Sequence, residues 1–162
     1  MPQHTVQLGD ALSAFKTAVA ALTYPTSSDP VFPTTALLMP GQEFKTNRIY
    51  PQAIIRVSGG DLDDENGRTN HRFNISVEMR VKREATVDGE SIVYGEGRTS
   101  DQAMGAGLAD MLAKLVSGSG HVTPQDNAEL LSYFNYTGFT SLPQTEQHFA
   151  WNANFTAALN LT

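Results

Sequence analysis

Four carboxylates close together near the middle of the chain are the first candidates for chemistry. They are Asp61, Asp63, Asp64 and Glu65. Alternating carboxylates are typical of a calcium-binding loop, in which the sixth position is glycine and the twelfth is a bidentate glutamate. Counted from Asp61, those two positions are Asn66 and Arg72, so the calcium interpretation fails. We therefore expect a solvated acidic loop over Ser58–Gly67.

The histidines do not form a recognisable metal motif. The chain has four of them, His4, His71, His121 and His148, and no two have the short spacing of paired metal ligands. A metal site built from distant residues would need His71, Glu78 and His148 to meet in the fold. The sequence also contains no phosphate-binding loop, serine nucleophile motif or zinc motif. We therefore predict no catalytic residue, no metal and no cofactor, and expect that the protein is not an enzyme.

The composition restricts the classes of function further. With 162 residues, of which 40% are hydrophobic, the chain has the length and core material of one domain, residues 1–162. A net charge of −6 argues against a broad basic surface that grips nucleic acid through its phosphates. The absence of cysteine excludes disulfides and thiolate chemistry. We find no signal peptide and no apolar stretch of membrane-spanning length, so we expect a cytosolic product with no membrane contact.

A strand at the centre of the chain has the most regular pattern. Over Arg72–Lys82, five apolar residues alternate with six polar ones, which indicates a strand with one buried face. Such strands are typical of antiparallel sheets, unlike the continuously apolar strands of nucleotide-binding folds. Phe149–Thr162 alternates in the same way, and Arg48–Val57 is the expected partner of the central strand. Shorter extended pieces are expected at Thr35–Met39 and from Ser132 onward.

A long hairpin is predicted directly after the central strand. The extended pattern continues to Val87, Asp88-Gly89 is a favoured two-residue turn, and Glu90–Gly95 returns. The tip of this hairpin is either the end of a sheet or an arm that reaches another subunit.

Two helices complete the prediction. Apolar residues from Leu8 to Leu22 recur at spacings of three and four, and Tyr24-Pro25 ends this first helix. Thr99–Gln102 is a capping box that begins a second helix, which runs to Gly118. We therefore predict an α+β fold, an antiparallel or mixed β-sheet with a long β-hairpin and two helices packed on one face.

The order and size of these elements resemble the tail terminator family of long-tailed bacteriophages, of the lambda-like kind. The resemblance is carried by the helix at Thr5–Thr23, the strand beginning at Tyr50–Ile55, the Arg72–Lys82 strand, the Ser100–Val116 helix and the Phe149–Leu161 strand. It covers most of the chain. It depends on topology and size, since the family has no catalytic motif to match.

The resemblance implies a structural protein of the virion. Such a protein forms a homo-oligomeric ring, typically of six copies, at the head-proximal end of the tail tube. The ring stops polymerisation of the tail tube protein and binds the head-completion or connector proteins, while DNA passes through its lumen without specific binding. It is assembled in the host cytoplasm. Candidate contacts between subunits or with partners are Asp88, Gly89 and Glu90 at the hairpin tip, and Asp61, Asp63, Asp64 and Glu65 in the acidic segment.

Two other interpretations are open at this point. Another virion ring protein, such as a head-tail connector, a head-completion protein or a tail-tube subunit, would use a similar protomer. The ability to polymerise distinguishes a tail-tube subunit from a terminator, because a tube subunit stacks into long tubes and a terminator does not. A small-molecule-binding or hydrolytic α+β domain would need a pocket with convergent polar groups, and the sequence shows none.

Overall fold

A computed structural model of the chain describes residues 8–23, 29–39, 41–45, 47, 49–65, 68–82, 134–143, 145 and 147–160. This part of the chain contains one helix and five strands. They are α1 (Leu8–Ala20), β1 (Thr34–Leu38), β2 (Gln52–Glu65), β3 (Arg68–Lys82), β4 (Phe134–Ser141) and β5 (His148–Asn160). No helix in these ranges is long and apolar enough to cross a membrane.

The five strands form one mixed sheet in the order β1-β2-β3-β5-β4. Only β1 and β2 run parallel, and every other neighbouring pair is antiparallel. The predicted central strand is confirmed, because β3 pairs along nearly its whole length with β2 on one side and β5 on the other. The predicted partner of that strand, now β2, is confirmed as well.

The outer half of β2 differs from the prediction. Residues Gly59–Glu65 pair with β3 as a continuous ladder, so the acidic loop expected at Ser58–Gly67 is wrong. In the sequence only Asn66-Gly67 separates β2 from β3, and Asn-Gly is the residue pair most favoured in two-residue hairpin connections. The ladder shifts register between Val57 and Gly59, where Gly59 has a φ of +151° that disfavours any side chain.

The hydrophobic core lies between α1 and one face of the sheet. Phe15 of α1 stacks on Phe134 at 4.7 Å between ring centroids and meets Phe155 edge-on at 5.1 Å. The buried face of β3 is the predicted one, with Ile75, Val77, Met79 and Val81 all buried. Burying each such side chain contributes about 1.5–3 kcal/mol before conformational entropy is subtracted.

The predicted α+β fold with two helices packed on one face is wrong. The structure is mostly β-sheet, one mixed sheet of five strands, with a single short helix in the described ranges. The prediction underestimated the sheet because it depended on apolar alternation, and residues 61–65 contain only one apolar residue. The second predicted helix, Thr99–Gly118, and the hairpin tip at Asp88, Gly89 and Glu90 lie outside the described residues.

The remaining predicted elements are confirmed with small changes of boundary. The first helix is α1, the extended piece at Thr35–Met39 is β1, and the strand expected from Ser132 onward is β4. The closing strand is β5, which begins at His148.

Candidate functional site

The face of the sheet that points away from α1 carries a cluster of polar side chains, which we call the polar cluster. Its members are Gln52, Arg56, Glu78, Arg80 and His148. Strands β2, β3 and β5 supply them. In the register, Gln52 lies opposite Arg80 and Arg56 lies opposite Ser76. His148 lies opposite Lys82. They share a face because alternate residues of a strand point to the same side.

Glu78 is the centre of the polar cluster. Its Oε1 accepts a hydrogen bond from Arg56 Nη1 at 3.0 Å, and its Oε2 accepts one from Arg80 Nε. The side chains of Glu78 and Arg80 are only 12% and 15% exposed, whereas that of Arg56 is 37% exposed. One carboxylate therefore bridges two guanidinium groups in a partly shielded position, where charge-assisted hydrogen bonds are strong, and the three groups together keep one positive charge. Glu78 thus forms one ion pair within β3, to Arg80, and one across strands, to Arg56.

A covering segment, residues 41–45, 47 and 49–51, lies over part of the polar cluster. The ring of Phe44 lies 5.3 Å from Arg80 Cζ, within the range of a cation–π contact. The ring of Tyr50 lies 6.2 Å from that of His148. Gln52 Nε2 donates to the backbone oxygen of Asn47 at 3.1 Å and to its Oδ1 at 2.8 Å. These contacts shield Arg80 and bury Gln52 and His148.

The environment of His148 disfavours its protonated form. Burial lowers the pKa of His148 below its ordinary value of 6.5, the positive charge of Arg80 lowers it further, and Glu78 opposes the shift. Within the described part of the chain, neither His148 Nδ1 nor Gln52 Oε1 has a hydrogen-bond partner although both atoms are buried. The sequence placed His148 at a strand start and gave no sign of its burial.

The distant metal site considered from the sequence does not assemble. His71 lies at the opposite end of β3 from Lys82, whose register partner is His148. Eleven residues of strand separate these positions, which is about 36 Å at the usual rise per residue. Among the residues that the structure describes, no three histidine or acidic side chains are grouped to hold a metal ion.

The acidic candidates lie in the outer half of β2, away from the polar cluster. The register sets Asp61 opposite Arg72, Asp63 opposite Asn70, Asp64 opposite Thr69, and Glu65 opposite Arg68. The acidic run is therefore part of a strand that has a basic residue across from each of its end positions. The other candidates, Asp88, Gly89 and Glu90, are not in the described ranges.

The two edges of the sheet are different from one another. β1 pairs only with Gln52–Arg56, so residues 58–65 of β2 have no described strand on that side. β4 forms the other edge and carries its own register shift between Tyr136 and Gly138. Strand edges present unpaired N–H and C=O groups that can pair with another chain.

An apolar groove of about 430 Å³ opens where β1 ends. It is lined by Leu8, Met39, Val57, Ser58, Gly59, Gly60 and Phe73. Gly60 is required for this shape, because a Cβ there would lie 2.8 Å from the backbone oxygen of Arg72 and 3.0 Å from the Phe73 ring. The sequence analysis missed the groove, although two adjacent glycines within an extended segment are a signal of a bulge or of close packing.

Two large hydrophobic residues of the described part are exposed, Met39 at 44% and Ile49 at 57%. Met39 lines the apolar groove, and Ile49 belongs to the covering segment. The site features of this chain are thus an ion-paired polar face, two unlike sheet edges, a groove and an exposed isoleucine.

Comparison with models of known protein families and with curated proteins finds no match.

Proposed function

We propose that this chain forms a homo-oligomeric ring at the head-proximal end of a bacteriophage tail tube. There it ends polymerisation of the tail tube protein and provides the surface to which the head-completion proteins bind. The observation that supports this most is the single sheet with two unlike edges, which lack partners among the described strands. The proposal also depends on the family resemblance of the elements from Thr5 to Leu161.

A ring is built from heterologous contacts, in which one surface of a protomer meets a different surface of the next. Here one edge combines a short parallel strand with the outer half of an acidic strand, and the other is the uncharged strand β4. This asymmetry supports a head-to-tail arrangement.

The charge of the chain supports a lumen through which DNA passes without being held. The net charge is −6, and strong DNA binding needs many contacts from basic residues to phosphates. Within the polar cluster, Glu78 binds both Arg56 and Arg80, so its carboxylate offsets one of the two positive charges. In this proposal the protein is assembled in the host cytoplasm and remains in the virion tail.

Addition of the purified chain to polymerising tail tube protein of the same phage tests this function. We expect tubes of bounded length with a ring at one end, seen by negative-stain microscopy. An equal amount of an unrelated acidic protein is the control. Incorporation of the chain along the tube wall would identify a tube subunit instead, and unchanged tube length would contradict termination.

A further inference from the structure

We draw no further inference here: the strongest candidate, the apolar groove at the end of β1 beside Met39 and Val57, carries none, because nothing in the part of the chain that the structure describes shows what covers it.

Discussion

At the scale of single residues, Glu78 determines the character of the polar face. Its carboxylate joins Arg56 of β2 to Arg80 of the same strand, and Phe44 covers the second guanidinium. The alternation of β3 predicted that Glu78 lies on the polar face beside Arg80. The role of Arg56 could not be predicted, because it depends on the register between β2 and β3. Shielding by Phe44 could not be predicted either, since the covering segment has no periodic pattern.

His148 should make the stability of the protein depend on pH. Its pKa is lowered in the folded state by burial and by Arg80, so below pH 6.5 the unfolded chain binds the proton more readily. Stability is therefore complete above the ordinary pKa of 6.5 and is lost as the pH falls from there through the lowered folded pKa. Urea unfolding between about pH 7.5 and pH 5.5 measures the effect.

His148→Gln is the variant that isolates this effect, because glutamine does not titrate. We expect its unfolding free energy to change less with pH over the same range than that of the natural chain. The other three histidines are identical in both proteins, so their contributions cancel. The same pH dependence in both proteins would show that His148 is not held neutral.

At the scale of elements, strands were predictable wherever apolar and polar residues alternate. This explains why β3 and β5 were found close to their true boundaries, while apolar residues at spacings of three and four located α1. The outer half of β2 was missed because its residues 61–65 are nearly all acidic and carry no apolar period. This part of β2 is specified by its pairing with β3 and by the Asn66-Gly67 sequence. Asn-Gly is a hairpin signal, and the test for a calcium-binding loop considered Asn66 only as a possible loop position.

Val77→Asp should unfold the protein or make it insoluble. Val77 is fully buried on the face that packs against α1, between Ile55 and Ala153 in the sheet register. A carboxylate there has no partner, and we expect a loss of about 3–5 kcal/mol in unfolding free energy. Urea denaturation followed by circular dichroism measures it.

Ser76→Asp is the matched control for that substitution. It introduces the same side chain one residue earlier, on the opposite face and across from Arg56. Its stability should change by no more than about 0.5 kcal/mol. A soluble Val77→Asp protein that unfolds as cooperatively as Ser76→Asp would show that the facing of β3 is wrong.

At the scale of the whole molecule, two features could matter for assembly. They are the unlike edges of the sheet, and the apolar groove with the exposed Ile49 beside β1. Neither could be predicted from the sequence. Edges follow from the strand order β1-β2-β3-β5-β4, which requires long-range pairing that local patterns do not encode. Of the predicted contact residues, Asp61, Asp63, Asp64 and Glu65 lie on the outer half of β2, beyond the residues that pair with β1, and their part in assembly stays a prediction.

The central claim is that the chain ends the growth of a phage tail tube. The most direct measurement is tail length, by negative-stain microscopy of lysates in which the gene for this chain is disrupted. The account predicts overlong, irregular tails that are not attached to heads, with normal length restored by supplying the natural chain. Tails of normal length beside filled, unjoined heads would place the protein on the head side of the joint and would contradict termination.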